Sequence, residues 1–319
     1  VKVDEDPYRM EEGPGPQYET IASFGSLLGI DDLAAIIRMG EVANKYGVDS
    51  ISCGATIAFA MECFEKGLIT SKDLDGGQLR WGNTDDVLEM MGKINRRQGF
   101  GDILAEGSRS AARKIGKKAE DFTVETKGLE FAMYDVRGSH GHGLGFTMSN
   151  RGACHVASAI GPIESGWTTW ADIGITGGYD AKADEGKGEL NVKCENVAML
   201  SNSATMCYFA LMSLAITDIV EALKATTGFD YTLDEIMECG DRIWTIQRGL
   251  NNLMGVTAAD DRMPKRMLAP HTDGAAAGSV PDIELMKKEY YRARGLDANG
   301  RPLKEKLNKL GLSDLAAKL

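Results

Sequence analysis

The feature that most restricts the fold is a helical period, repeated segment after segment, with a glycine closing most of the segments. In GIDDLAAIIRMGEVANKYGVD, Leu33, Ile36, Ile37 and Val42 recur at the spacing of one helix face. Asp31 stands at the expected N-cap and Gly47 can end the helix in a left-handed turn. GATIAFAMECFEKGLI repeats the pattern with Ile57, Met61, Phe64 and Leu68, and its apolar residues run nearly all round, as in a buried helix. NTDDVLEMMGKINRRQG and GDILAEGSRSAARKIG read as one helix each. Helices return at Glu195, through ITDIVEALKATTG and TLDEIMECGDRIWTIQRGLN, where Thr232 and Glu235 make a capping-box pair, and on into the charged tail. No alternating period is evident. The expected fold class is all-α, and without strands GHGLG cannot be a phosphate loop between a strand and a helix.

After about residue 120 the texture changes. Two helical domains packed together are expected, 1–126 and 127–319, joined by long Gly-rich loops. Residues 161–190 are glycine-rich and acidic. The run YDVRGSHGHGLGFTMSNRGACH, Tyr134 to His155, holds three of the four histidines and five glycines. It shows no period, so a loop is expected, mobile unless something binds it.

A net charge of −11 argues against a nucleic-acid partner, because no basic stripe can displace counterions. No apolar run has the length of a membrane span, and no signal peptide is visible, so no membrane partner and a cytoplasmic location are expected. The six cysteines include no CxxC pair and read as buried, reduced thiols rather than a disulfide framework.

Few residues could carry chemistry. Glu19, just ahead of the first strong helix, is either a solvated carboxylate or a general base or acid in a pocket. Tyr134 and His155 bracket the glycine-rich run and could be structural or could face a ligand. His140 and His142, two apart, are weak metal-ligand candidates. Cys207 matters only if thiolates from elsewhere join it on a cluster.

Four ordered blocks then carry a resemblance. The stretch from YETIASFG to FEKGLI, then GDILAEGS, then YDVRG with GHGLGF and SNRGACH, then DDRMPKRML resemble the tungsten-containing aldehyde:ferredoxin oxidoreductases. The resemblance is to that family's two helical C-terminal domains and is weakest over 161–190 and at the C-terminus. It implies that a β-rich N-terminal domain, the base for the cofactor, lies outside this chain, with three of four cluster cysteines. The chain would then be an excised part of a longer enzyme or a separate subunit.

What the resemblance implies for residues is specific. Glu19 matches the glutamate beside the metal, Tyr134 the tyrosine of YDPRG (Val136 replaces the proline), and His155 the histidine of NRGACH. NKYGVD matches the pterin-contacting DxxGLD, with Asn44 for the first aspartate and Gly47 and Asp49 kept. NSATMC matches DxxGLC, with Asn202 for the aspartate, Thr205 and Met206 for Gly-Leu, and Cys207 as the remaining ligand of a [4Fe-4S] cluster. Asparagine keeps a carbonyl oxygen but loses the charge that strengthens a bond to pterin N–H groups. The implied cofactor is a tungsten or molybdenum bis-pterin. The implied partners are an aldehyde, ferredoxin, the N-terminal domain and a second copy in a homodimer. Two rivals are an acid- or thioester-reducing enzyme on the same scaffold and a cofactor-free helical interaction module.

Overall fold

A computed structural model describes residues 1–116 and 118–319. The fold is mainly helical, as expected; the described residues form one sheet, a two-stranded hairpin of β1 (Glu125–Thr126) and β2 (Leu129–Glu130). The chain divides into two compact units, Val1–Tyr134 and Asp135–Leu319. The hairpin, which straddles residue 126, belongs to the first unit, because the Glu130 carboxylate accepts from the Ser108 N–H (2.8 Å) and hydroxyl (2.7 Å).

Unit 1 opens with a short helix, α1 (Tyr18–Ile21), which runs straight into a π-helical turn at Ala22–Ser26. Then come α2 (Leu33–Tyr46), α3 (Ser50–Glu65), α4 (Thr84–Arg96), α5 (Phe100–Leu104) and α6 (Gly107–Ile115). The cap of α2 is Asp32 rather than Asp31: its extended backbone lets Oδ1 accept from the Ala34 and Ala35 N–H groups (2.9 and 3.2 Å). α3 is the buried centre that its all-round apolar pattern predicts. A Cβ on its Gly54 would stand 2.6 Å from the Ser23 carbonyl oxygen, so the glycine is what lets the π turn lie against the helix. The single helix expected over GDILAEGSRSAARKIG is broken in two, because Gly107 takes φ +81°. α4 ends on Arg97 rather than on a glycine, with Arg97 in the left-handed region.

Unit 2 holds α7 (His140–Met148), α8 (Ile160–Glu164), α9 (Lys187–Ser203), α10 (Tyr208–Leu211), α11 (Ile216–Thr227), α12 (Leu233–Leu253), α13 (Ile283–Arg294), α14 (Lys304–Lys309) and α15 (Ser313–Ala316). α9 starts at Lys187, eight residues ahead of the expected return of helix at Glu195. α12 and α13 pack on it through glycines. A side chain on Gly240 would meet the Asn196 backbone, and one on Gly188 the Tyr290 backbone. The Thr232–Glu235 capping box forms as expected.

The largest correction concerns the glycine-rich run. Residues 140–148 are not a mobile loop but α7, buried along its whole length. Its glycines admit neighbours within unit 2: a Cβ at Gly141 would sit 2.6 Å from Glu164 Oε1 and 2.7 Å from Ile160, and one at Gly143 2.8 Å from Met263. Glu164 holds the helix start, accepting from the Ser139 hydroxyl (2.6 Å) and from the Gly141 and His142 N–H groups (each 3.1 Å). Buried Lys187 neutralises it. Glycine is unfavourable in a helix, but here the packing it permits outweighs its propensity.

Candidate functional site

The NKYGVD and NSATMC stretches fold into the same turn, one in each unit. At the end of α2 the Gly47 N–H donates to the Asn44 carbonyl (3.2 Å) and the Val48 N–H to that of Ala43 (2.9 Å). At the end of α9 the Thr205 N–H donates to the Asn202 carbonyl (3.3 Å) and the Met206 N–H to that of Ser201 (3.0 Å). The fourth position is left-handed in both, Gly47 at φ +68° and Thr205 at φ +55°. The sixth starts the next helix in both: Asp49 N-caps α3 through the Ser52 N–H (2.8 Å), and Cys207 occupies the N-cap of α10. Asn44 and Asn202 therefore occupy equivalent places, both exposed on the last turn of their helices.

Cys207 differs from the other cysteines. It is exposed, and its place ahead of the Ala210 and Phe209 N–H groups at the start of α10 lowers its pKa. Burial pushes Cys53 and Cys63 up to about 12, and Cys194 higher still. A thiol whose anion is favoured by backbone donors suits a cluster ligand. Among the described residues no group of three or more His, Cys, Asp or Glu could hold a metal ion.

Unit 1 brings Glu19 and Tyr134 together. The Met133 N–H donates to Glu19 Oε2 at 3.0 Å, and the Tyr18 hydroxyl donates to the Met133 carbonyl at 3.0 Å. The Tyr18 and Tyr134 rings stand 5.6 Å apart. Glu19 is half-buried, and burial raises its pKa; the Met133 N–H opposes this and Asp49 adds to it. Burial, then the Glu19 charge, pushes Tyr134 up to about 12. The pair is thus a reluctant carboxylate beside a phenol that stays protonated at neutral pH, a set suited to proton transfer and hydrogen-bond donation. Tyr18 was not singled out by the sequence reading, although it begins the YET block.

In unit 2 His155 sits on the Ser149–Ala157 loop, half-buried. Its neighbour His142 is pushed down to about 3 by burial and by His155, and its ring lies 4.6 Å from Phe146, so it is a neutral core residue. His140 is held between Asp184 (2.7 Å) and Ser279 (2.8 Å). The two do not act as a chelating pair.

A cavity of about 220 Å³ opens between this loop, α9 and α12. Asn150, Arg151, Cys154, Glu195, Asn202 and Gln247 line it, with Trp244. Asn150 is pinned by its Nδ2 bond to the Trp244 carbonyl (3.0 Å), while its Oδ1 and the Trp244 Nε1 are buried without a partner among the described residues. Behind them Arg294 stacks on Trp244 (4.4 Å) and donates to Glu195 (2.7 Å). A buried amide oxygen and a buried indole N–H at the wall of a cavity suit a polar heterocycle, since each otherwise bears a desolvation cost. Arg151 and Asn150 lie inside the SNRGACH block, the one sequence signal that marked them. Glu195 and Trp244 belong to ordinary amphipathic helices and carried none.

Residues 1–312 match the family model described as aldehyde ferredoxin oxidoreductase, domains 2 & 3. The tungsten-containing aldehyde ferredoxin oxidoreductase of Pyrococcus furiosus is 38% identical over 95% of this chain and 49% of its own length. The aliphatic sulfonate oxidoreductase, WOR-like subunit, of the same organism is 29% identical over 97% of this chain. The fold also matches the active site complex BamBC of benzoyl coenzyme A reductase, at TM-score 0.74 and 21% identity over 97% of this chain and 51% of that one. The chain spans about half the length of the curated relatives it matches. It belongs to the aldehyde ferredoxin oxidoreductase family of enzymes, of which it carries domains 2 and 3.

Proposed function

We propose that this chain is the cofactor- and substrate-contacting helical portion of a cytoplasmic oxidoreductase that converts an aldehyde and water to a carboxylic acid, two protons and two electrons. The observation that carries the reading is the Glu19–Tyr134 pair, a burial-raised carboxyl beside a neutral phenol at the YET block. The chemistry supplied by a bound bis-pterin tungsten or molybdenum group is two-electron acceptance, and that of a [4Fe-4S] cluster is onward transfer to ferredoxin. In unit 1, Asn44, Gly47 and Asp49 would contact pterin; in unit 2, Asn202 would do so with Asn150 and Trp244 of its cavity, and Cys207 would ligate the cluster. The other cluster thiolates and the base of the cofactor would come from an N-terminal domain.

Glu19 takes the proton from water or the hydrated aldehyde. Its raised pKa makes it a stronger base than an exposed glutamate, and Met133 fixes the direction of its Oε2. Tyr134 and His155 donate hydrogen bonds to the substrate oxygen and polarise the carbonyl. The 36–38% identity to aldehyde oxidoreductases, against 29% to the sulfonate enzyme subunit, favours an aldehyde as substrate. The test is metal and iron analysis of the anaerobically purified holoenzyme, followed by aldehyde assays. Tungsten or molybdenum with about four irons per chain is expected, and Glu19→Gln should keep the metal while lowering kcat by about 10²- to 10⁴-fold. A metal-free, iron-free folded protein would sink the reading in favour of an interaction module.

A further inference from the structure

We propose that Tyr18 is a positioning residue for Glu19: by anchoring the Met133 carbonyl it keeps the Met133 N–H aimed at the Glu19 carboxylate and so tunes the acidity of that carboxyl. The inference rests on the role proposed for Glu19.

Three contacts converge on one short segment. Two consecutive side chains of α1 grip the same residue, Tyr18 at the Met133 carbonyl and Glu19 at its N–H, each at 3.0 Å. The next residue, Tyr134, is held by its ring against that of Tyr18, 5.6 Å between centroids and 41° between planes. Tyr18 is 57% exposed, so burying its ring is a small part of what it contributes. What it adds is a bond between positions 115 residues apart in the chain, which fixes an otherwise irregular strip.

Tyr18, Asp49 and Tyr134 are among the groups that act on Glu19 electrostatically. The two phenols are neutral over the working pH range, and Asp49 raises the Glu19 pKa, as burial does. The Met133 N–H is the group that lowers it. Its orientation therefore limits the rise that burial causes, and Tyr18 holds the other end of that residue.

The experiment compares Tyr18→Phe, which loses the hydroxyl but keeps the ring against Tyr134, with the parent holoenzyme. The carboxyl C=O infrared band of Glu19, identified by its loss in Glu19→Gln, is followed against pH. A weakened charge-assisted bond should move its midpoint up by about one pH unit. The acid limb of the kcat profile should move with it, while KM stays within about twofold, as for a group that acts on the chemical step rather than on binding. An unmoved Glu19 band in Tyr18→Phe would overturn the proposal. Unchanged turnover in Glu19→Gln would instead remove Glu19 from catalysis, and the infrared titration would still decide whether Tyr18 sets its acidity.

Discussion

Thr205 offers the sharpest test of how the second turn is built. It holds the position that glycine fills at Gly47, with φ +55°, and its backbone makes the same hydrogen bond. A left-handed residue with a Cβ suffers about 1–2 kcal/mol from the contact of Cβ with the following carbonyl. Branching at Cβ places Thr205 toward the upper end. Glycine removes that strain but makes the unfolded chain more flexible, at about 0.5–1 kcal/mol. The Thr205 side chain is exposed and makes no hydrogen bond among the described residues, so nothing else is lost. Thr205→Gly should therefore stabilise by about 1 kcal/mol, a rise in Tm of about 2–4 °C for a unit of this size. Urea unfolding of parent, Thr205→Gly and Thr205→Ala measures it. Alanine keeps the Cβ and should recover at most a few tenths of a kcal/mol, roughly a quarter of the glycine gain. An alanine variant as stable as the glycine variant would refute the argument from backbone strain.

Other outcomes follow from single contacts. Gly141→Ala drives a methyl against Glu164 and Ile160 and should cost about 1–3 kcal/mol in denaturant unfolding. Gly145→Ala, whose methyl would meet its neighbours at 3.4–3.6 Å, should be neutral or stabilising. Cys207 should be the first thiol alkylated by iodoacetamide at neutral pH in cluster-free chain, seen by peptide mass spectrometry, because it alone combines full exposure with a lowered pKa. Glu19 has a raised folded-state pKa, so the stability tied to its protonated form is complete below its unfolded pKa of about 4.3 and lost as pH rises through the folded value. Glu19→Gln should accordingly be more stable than the parent at pH 7 and lose that advantage by about pH 4, as measured by Tm against pH.

Much of the helical framework was legible because its signals are local. The apolar faces of α2 and α3, the stop at Gly47 and the Thr232–Glu235 box each depend on residues within a turn or two of one another. The helix pair α5 and α6 read as one because a single glycine torsion, not a change of period, divides them. Glu19, Tyr134, His155 and Cys207 were marked by their blocks, whereas the Asn150 and Trp244 side of the cavity depends on which helix lies against which loop.

The amino-acid order by itself determined helix periods, caps and the blocks that place the chain in its family, since these need only neighbours along the chain. The tertiary structure alone decided that HGHGLGFTM is a helix. Its glycines disfavour that state in isolation, and the state is chosen only because Ile160, Glu164 and Met263 close on the positions where side chains are missing. It also decided the setting of Glu19, because the group that tunes it, the Met133 N–H, lies 114 residues away in sequence and is brought near only by folding.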